Sequence, residues 1–549
     1  MQLNNAIKEI LELRGISATD EVAEFLSDKP QKTYDPFLLL NMEEGVDLVL
    51  SAIDEGRKIC IYGDYDSDGV TSVVLLRSVL TELGADVTYY IPSRFDDGYG
   101  LNSVALDRIK EAGASLVITV DCGCTSVKEV EHAKAIELEI MVTDHHTPQE
   151  EMPDCIVIDP LQKDCAYPFK YLAGVGVAFK LAQALVEATG ASKEVLTRNL
   201  DLVGIGTVVD IVPLVDENRT LAKYGLRALN VTARPGIRAL LAKLGLKQGE
   251  ITSRTLSYII GPHINAAGRV HNATLAARLL QTDDYERALN LTDELISCNL
   301  ERKRYQDELQ KACDESLDID AVNSEHFILL SPKEAHEGII GIVAGKFKEQ
   351  YSVPTIITTP IGDGIHKGTG RSPSGVNLFN LLTSHSELFE RIGGHSAACG
   401  FSIAEENIPK LREALKEDME RIVAEDPAAL NSQVRAEIIM NPEDVCKDFV
   451  VQQKLLEPFG KDNEEPIVGV EITPRDVARM GDGRFLRFNG MLSNGSQIRG
   501  VDFRKADEHE GIIRSACEKG SKIKAIGNID MQVWNDKEYI QINLKAVDE

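Results

Sequence analysis

Short apolar runs that lead into acidic residues recur between residues 59 and 210. The runs and their acids are Ile59 to Tyr62 with Asp64, Leu116 to Val120 with Asp121, Ile140 to Thr143 with Asp144, and Thr207 to Val209 with Asp210. We interpret them as buried strands, and because helix-like patterns separate them, they predict a doubly wound α/β domain with a parallel sheet. Parallel strands bring their carboxyl ends to one edge of the sheet, where α/β proteins bind ligands. The four acids are therefore expected to converge.

The rest of the pattern predicts three further segments. Residues 252 to 318 are helical, and residues 284 to 316 are long and charged enough for a helix connecting two lobes. A second α/β unit follows, with strands at 327 to 330 and 355 to 358. Its glycines at 362 to 370 and 393 to 394 suit loops that admit a phosphate, or tight turns alone. The predicted domains are the N-terminal segment with the first α/β domain, a helical connector, a smaller α/β domain and a C-terminal domain, at residues 1–240, 241–324, 325–427 and 428–549.

The C-terminal domain is predicted to be an OB barrel, because it contains five short β patterns. These patterns are residues 466–473, 484–492, 497–503, 522–533 and 538–546. Four aromatic residues lie among arginines on these strands, namely Phe485, Phe488, Phe503 and Trp534. Each of them would either stack on a nucleobase or fill the barrel core.

Three aspartates, Asp64, Asp66 and Asp68, crowd into five residues ahead of a helix-like stretch. Asp68 alone would be explained as a helix N-cap, but a cap needs one aspartate. The spacing also copies the start of an EF-hand loop, yet Leu75 stands where that loop requires a bidentate Glu. Carboxylates in one crevice repel each other unless cations lie among them, and carboxylates with imidazole suit Mn²⁺ or Mg²⁺. The segment therefore predicts a site for two divalent cations.

His145 and His146 follow Asp144 directly. On their own they would be explained as a hydrogen-bonded pair near a sheet edge. Because acids follow the other strands, we interpret the histidines as part of the same metal site. Asp121 is the carboxylate that we expect to bridge the two ions.

Several separated motifs together resemble the DHH phosphoesterase superfamily. They are Tyr65-Asp66-x-Asp68-Gly69, Val120-Asp121-Cys122-Gly123, Asp144-His145-His146, Asp210, Gly261 to Arg269, Glu337 to Ala344, Gly370-Arg371-Ser372 and Gly393-Gly394-His395. Their order along nearly the whole chain resembles the single-strand-specific exonuclease branch of that superfamily. Pro458-Phe459-Gly460 is similar to the entrance of its OB domain, whereas His263 departs from the family, which usually has Arg there.

This resemblance implies a metal-dependent exonuclease that hydrolyses single-stranded DNA from the 5′ end, in recombination and repair. It implies that Asp64 and Asp66 hold one ion and that Asp68, His145 and Asp210 hold the other. His146 would face the phosphate, and Asp144 would orient a histidine. The second lobe would close over the strand with its substrate-binding residues, which are Arg269, Arg371, Ser372, Gly393, Gly394 and a catalytic His395. A single-strand-binding protein and a helicase are the implied protein partners.

Composition narrows the class of protein. The 549 residues are 43% hydrophobic and 27% charged, which is ordinary for a globular chain of several domains. No stretch has the length of a membrane span and the N-terminus lacks a signal pattern, so we expect a cytoplasmic protein. The ten cysteines lack zinc or redox spacing, so they are expected to be reduced.

The net charge of −28 restricts nucleic-acid binding to a local groove, since affinity comes from the phosphates that are contacted. The basic candidates for such a groove are Arg269, Arg302-Lys303-Arg304, Lys367, Arg371, Arg484, Arg487 and Arg499.

Two other functions stay open at this point. A DHH enzyme can act on short oligonucleotides, cyclic dinucleotides or pyrophosphate, although family pyrophosphatases have His where this chain has Tyr62, and the short-substrate enzymes lack an OB-like tail. A non-catalytic DHH relative can serve as a structural partner of a replicative helicase, but such proteins have lost metal ligands that this chain retains.

Overall fold

The computed structural model describes residues 3–95, 97–98, 100–430, 434–534 and 537–548. Two compact units make up the chain. Unit 1 contains residues 1–91, 100–261 and 434–549, and unit 2 contains residues 92–99 and 262–433. Among the described residues, no helix combines the length and the apolar character needed to cross a membrane.

The first domain of unit 1 is built on a parallel sheet. Its strands are β1 (Ile59–Gly63), β2 (Val87–Tyr90), β3 (Leu116–Val120), β4 (Glu139–Thr143) and β5 (Ile156–Ile158), in the order β2-β1-β3-β4-β5. Every pairing in it is parallel. Strands β1 and β3 are buried along their whole length, because helices cover the sheet on both faces. The predicted doubly wound sheet is confirmed.

The helices of this part of the chain pack around that sheet. They are α1 (Asn5–Leu13), α2 (Thr19–Leu26), α3 (Met42–Asp54), α4 (Ser67–Glu82), α5 (Ser103–Glu111), α6 (Val127–Ala135), α7 (Gly174–Thr189), α8 (Glu194–Thr197), α9 (Leu200–Val209), α10 (Asp216–Asn230), α11 (Pro235–Lys243) and α12 (Ser253–Thr255). A 3₁₀ turn lies at Pro36–Leu38 and a π-helical turn at Leu256–Ile260. Cys60 and Tyr62 of β1 share a buried cluster with Leu106 of α5 and Val130 of α6.

One predicted strand is wrong. Thr207 to Val209 form the last turn of α9, and Asp210 is the residue that caps its C-terminus. Residues 201–208 are all buried, so this helix shows no polar face. A short run of buried apolar residues does not distinguish a helix from a strand, and the same acid reaches the site from a helix end.

Unit 2 contains a smaller mixed sheet. Its strands are β6 (Ile328–Leu330), β7 (Thr355–Gly362), β8 (Ile365–Arg371), β9 (Phe389–His395) and β10 (Ala398–Ala404), in the order β6-β7-β8-β10-β9. The β6–β7 pairing is parallel and the others are antiparallel. The helices are α13 (Gly261–Val270), α14 (Thr274–Gln281), α15 (Tyr285–Ser316), α16 (Ile319–Glu325), α17 (Ile340–Tyr351), α18 (Leu378–Thr383) and α19 (Ile408–Glu425). Helix α15, capped by Asp284, confirms the predicted long helix.

Most glycines of this sheet lie in strands, not in the predicted loops. Gly368 and Gly370 belong to β8, and Gly393-Gly394 belongs to β9. A Cβ on Gly368 would lie 2.2 Å from Phe401 Cε2, and one on Gly370 would lie 2.6 Å from Leu378 Cδ2. These two glycines make room for side chains packed over the strand, a role that a glycine pattern does not separate from a turn.

The C-terminal domain is a closed barrel. Its strands are β11 (Ile438–Ile439), β12 (Val468–Met480), β13 (Phe485–Met491), β14 (Gln497–Asp502), β15 (Ile523–Trp534) and β16 (Lys537–Asp548), with helices α20 (Lys447–Gln453) and α21 (Ala506–Lys519). Pairing of β12 with β15 closes the sheet, and the five predicted strands are confirmed. Phe488 is buried in the core, whereas Phe503 is exposed. The side chain of Trp534 lies outside the described residues.

The N-terminal helix α1 completes the core of this barrel. Its buried residues share one hydrophobic cluster with the barrel strands, and they are Ala6, Ile7, Ile10 and Leu11. Arg14 donates to both carboxylate oxygens of Glu437, at 2.7 and 2.9 Å. The two ends of the chain therefore fold together within unit 1.

Candidate metal centre

The loop between β1 and α4 carries the three crowded aspartates. Asp66 is the N-cap of α4, and its Oδ1 accepts hydrogen bonds from the N–H groups of Asp68 and Gly69, at 2.9 and 3.1 Å. A Cβ on Gly69 would lie 2.5 Å from the Asp64 carbonyl oxygen, so glycine lets the helix begin directly against the strand end. The cap is therefore Asp66, and Asp68 lies in the first helical turn.

Asp68 points from α4 to the N-terminus of α7. Its two carboxylate oxygens accept hydrogen bonds from the N–H groups of Gly174 and Val175, both at 2.7 Å. A helix N-terminus stabilises negative charge. Burial nevertheless raises the pKa of Asp68 to about 7, and the charge of Asp66 acts in the same direction.

Asp121 lies at the end of β3 in the left-handed region, with φ of 61°. Aspartate is one of the few residues that adopt this conformation readily. A Cβ on Gly174 would lie 2.7 Å from Asp121 Oδ1, so α7 begins in contact with this carboxylate. Burial, followed by the charges of Asp68 and Asp66, raises the pKa of Asp121 well above its ordinary value.

Asp144 holds the two histidines that follow it. Its Oδ1 accepts from the N–H groups of His145 and His146 and from His146 Nδ1, at 2.8, 3.2 and 2.8 Å. Its Oδ2 accepts from the N–H of Cys124 at 2.9 Å. Burial lowers the pKa of His146, but the hydrogen bond to Asp144 and its charge outweigh burial and raise the pKa to about 9. This arrangement fixes the orientation of the His146 ring, as expected of a group that positions a histidine.

His145 lies among three carboxylates. Its Nε2 is 3.1 Å from Asp121 Oδ1, 3.7 Å from Asp210 Oδ2 and 4.0 Å from Asp68 Oδ2. Burial, and then the charge of Asp68, raises the pKa of Asp210 well above its ordinary value. Acids from a strand end, a helix start and a helix end therefore converge on one imidazole.

Three sets of side chains place their ligand atoms within 4.8 Å of one another. The sets are Asp64, Asp66 and Asp121; Asp68, His145 and Asp210; and Asp121, His145 and His146. Two of these sets agree with the predicted division of ligands, and Asp121 belongs to two of the three. Carboxylate oxygens and imidazole are donors that Mn²⁺ and Mg²⁺ accept, and the raised pKa values show carboxylates whose charge the protein does not neutralise. The donor set therefore fits divalent cations.

The sequence analysis missed Asp159, although it follows β5 directly. Asp159 is fully buried, and burial is the main cause that raises its pKa to about 8, with the charge of Asp144 adding to it. The signal was the same one used at the other strands, an apolar run that ends in an acid. The strand before Asp159, Ile156–Ile158, is the shortest of this sheet.

Arg371, one of the predicted substrate-binding residues, is partly buried in unit 2. Arg371 Nη1 donates to Thr369 Oγ1 at 3.0 Å and to the Gly370 carbonyl at 2.8 Å. Burial, together with the charge of Arg94, lowers the pKa of Arg371. Arg94 was missed by the sequence analysis, and its signal was a basic residue shortly after β2.

The other residues predicted to bind substrate have more varied surroundings. Arg269 Nη1 donates to the Gly338 carbonyl at 3.2 Å. Ser372 is buried, and its hydroxyl donates to the Val376 carbonyl at 2.8 Å. This hydrogen bond stabilises the turn that follows β8. Residues 393–395 are exposed on β9. The substrate contacts of these residues stay predictions.

Family models match three regions of the chain. They are the DHH family N-terminal domain at residues 58–207, the DHHA1 domain at 324–421 and the RecJ OB domain at 436–546. The fold and its acidic site thus define a protein of the DHH class.

The relatives narrow this class further. The single-stranded-DNA-specific exonuclease RecJ of Bacillus subtilis is 36% identical over 550 residues, covering 99% of this chain and 68% of the relative. Its Escherichia coli counterpart is 33% identical over 78% of this chain and 77% of its own length. The crystal structure of Thermus thermophilus RecJ with Mn²⁺ matches with a TM-score of 0.81 at 27% identity, over 100% of this chain and 79% of that one. The chain belongs to the RecJ family, and the predicted superfamily and order of folds are confirmed.

The raised pKa values predict how the stability of the metal-free protein depends on pH. The folded chain keeps the proton of Asp68 up to about pH 7, whereas the unfolded chain loses it near about pH 4. Folding then binds a proton, so stability is highest below about pH 4 for this group and falls as pH rises through about 7. Bound Mn²⁺ takes the place of protons, and protons compete with it at low pH. Mn²⁺ should therefore raise the Tm more at about pH 8 than at about pH 5.

Thermal denaturation after chelation, with and without added Mn²⁺, measures both effects. Asp121→Asn should flatten the loss of Tm with pH and reduce the gain from Mn²⁺, because it removes one of the mutually repelling charges. Asp154→Asn is the matched control, since that carboxylate is exposed. An equal Mn²⁺ gain at both pH values would contradict the account.

Proposed function

We propose that this protein is an exonuclease that hydrolyses phosphodiester bonds of single-stranded DNA with two bound divalent cations, Mn²⁺ or Mg²⁺. The observation that carries the proposal is the convergence of buried carboxylates on His145, in a chain of the RecJ family. The names of the relatives support the substrate, and the solved relatives with Mn²⁺ and Mg²⁺ support the cofactor.

Each side chain of the centre has a distinct role in this proposal. Asp64 and Asp66 would hold one ion, and Asp68, His145 and Asp210 would hold the other, with Asp121 shared between them. Divalent cations held there would supply activation of a water molecule and stabilisation of charge on the phosphate and the leaving oxygen. His146, whose ring is oriented by its hydrogen bond to Asp144, would face the scissile phosphate. Asp144 itself positions the His146 ring through its hydrogen bond to Nδ1.

A groove in unit 1 supports the binding of a single strand. It has a volume of about 1370 Å³ and is lined by residues of the 208–258 region and by the barrel. Arg487 and Arg499 line it, and the buried Nε atom of each has no hydrogen-bond partner among the described residues. Basic residues outnumber acidic ones in the lining, although the chain has a net charge of −28. A local cationic groove of this kind suits a phosphate backbone.

Unit 2 supplies further phosphate contacts in the proposal. The positive charge of Arg94 acts to lower the pKa of Arg371, and a bound phosphate would offset that charge. Arg269 and Gly393-Gly394 contribute to binding, and His395 assists turnover. Digestion from the 5′ end, and a single-strand-binding protein and a helicase as partners, rest on the resemblance alone.

The alternative functions receive less support. An enzyme for short oligonucleotides or cyclic dinucleotides has no use for the RecJ OB domain at residues 436–546. A non-catalytic helicase partner needs no intact set of metal ligands. In this chain, all of the predicted metal ligands lie together in the site.

Nuclease assays on single-stranded DNA labelled at either end test the function and its direction. With Mn²⁺, the wild type should release products in order from the 5′ label. Asp121→Ala should lower turnover by roughly a thousandfold or more, because loss of the metal site removes several kcal/mol of barrier reduction. Asp154→Ala, on an exposed carboxylate, should keep full activity. Near-normal digestion by a folded Asp121→Ala variant would refute the two-ion site.

Arginine substitutions test the binding groove. Arg499→Ala should weaken binding to all base sequences alike and lower the slope of log affinity against log salt by about one. Arg514→Ala is the control, because Arg514 is exposed and pairs with Glu510. Arg371→Ala should lower the salt slope similarly, whereas His395→Ala should act chiefly on turnover. Lower Tm with an unchanged salt slope would mean that these side chains serve only the fold. Point substitutions are preferable to removal of the barrel, since removal would uncover helix α1.

A further inference from the structure

The residue after the metal-site acid Asp210 has an unusual backbone conformation. Ile211 lies in the left-handed region with φ of 62°, directly after the C-terminus of α9. A β-branched side chain is strained there, and helices ordinarily place glycine at such an end. Helices α7 and α21 of this chain do so, with Gly190 at φ 65° and Gly520 at φ 63°.

The fold does not compensate Ile211 for this strain by burying it. The side chain is 67% exposed, so it contributes little to the hydrophobic core. Strain that persists beside a catalytic ligand, without a packing reason, indicates a contact made with something outside the fold.

A second exposed apolar side chain lies on the element packed against the same helix end. Tyr258, on the π-helical turn Leu256–Ile260, is 76% exposed. That turn lies close to α9, because a Cβ on Gly261 would lie 2.7 Å from Val209 Cγ1. Single π-helical turns occur frequently at functional sites. Ile211 and Tyr258 both line the groove that also contains Arg487 and Arg499.

We propose that Ile211 and Tyr258 form an apolar surface on which a nucleobase of the bound strand packs, next to the metal centre. On its barrel side the groove presents the guanidinium groups of Arg487 and Arg499 to the phosphates. Beside Asp210 it presents Ile211 and Tyr258 to a base. A single strand presents both phosphates and bases. Every base has a face that can stack, so this contact does not depend on sequence. This inference rests on the proposed nuclease function and adds the position of a base contact to it.

The test compares two strands of equal length, oligothymidylate and an abasic strand, as substrates of the full-length protein with Mn²⁺. Ile211→Gly relieves the backbone strain, so its Tm should equal or exceed that of the wild type. Its KM for oligothymidylate should rise roughly five- to tenfold, with kcat within about twofold, because one base contact is lost. On the abasic strand, the variant and the wild type should have the same KM.

Two further variants keep the result interpretable. Tyr258→Ala should reproduce the base-dependent rise in KM, and Tyr258→Phe should restore the wild-type value, because the ring makes the contact. His326→Gly is the matched control, since His326 ends α16 in the same left-handed conformation, with φ of 63°. It should match the wild type in KM on both strands.

The outcomes separate the inference from the function beneath it. An active wild type with unchanged KM in Ile211→Gly, or with an equal rise on both strands, would overturn the base contact alone. If Ile211 and Tyr258 instead bind a protein partner, the variants and the wild type should have the same KM on each strand, and this result would also overturn the base contact. A wild type that digests neither strand would overturn the proposed function and the inference together.

Discussion

Mutual repulsion among buried carboxylates is the constraint on which the site depends. Asp68, Asp121 and Asp210 lie around His145 with little exposure to solvent, and each carries a raised pKa because burial and neighbouring charges disfavour ionisation. Protein interiors tolerate such a cluster only with protons or cations among the acids. At neutral pH, ionisation of all three carboxylates is therefore unfavourable unless cations bind among them. Bound ions offset the repulsion and supply the chemistry of phosphodiester hydrolysis at the same position.

The acids are held together because glycines let the helix backbones lie close to the carboxylates. Gly174 lets the N-terminus of α7 contact Asp121, and Gly206 lets α9 pass Asp68, since a Cβ there would lie 2.8 Å from Asp68 Oδ1. Asp121 adopts a left-handed conformation at the end of its strand. The N–H groups of Gly174 and Val175 offset part of the repulsion at Asp68, and Asp144 holds its histidines through three hydrogen bonds. Backbone contacts and hydrogen bonds thus fix the positions of the ligands, which favours tight and well-oriented coordination.

Much of this arrangement was predictable because strand ends follow a simple local rule. Apolar runs that end in Asp64, Asp121 and Asp144 identified a parallel sheet and its binding edge, and five short β patterns between residues 466 and 546 identified the barrel strands. Asp210 was placed on the wrong element, since a fully buried helix lacks the polar face that would reveal its period. Gly368 and Gly370 were interpreted as loop residues, because the space they leave is filled by side chains distant in sequence. The packing of helix α1 into the barrel joins residues more than 400 positions apart, and no local pattern encodes such a contact.

The central claim is that the carboxylates hold two cations close together, with Asp121 between them. Mn²⁺ titration of the metal-free protein, followed by electron paramagnetic resonance, measures the number of ions and the magnetic coupling that ions a few Å apart must show. The account predicts two Mn²⁺ per chain with coupled spins in the wild type, and loss of the coupling in Asp121→Asn. One ion per chain, or two ions whose spins are uncoupled in the wild type, would contradict it.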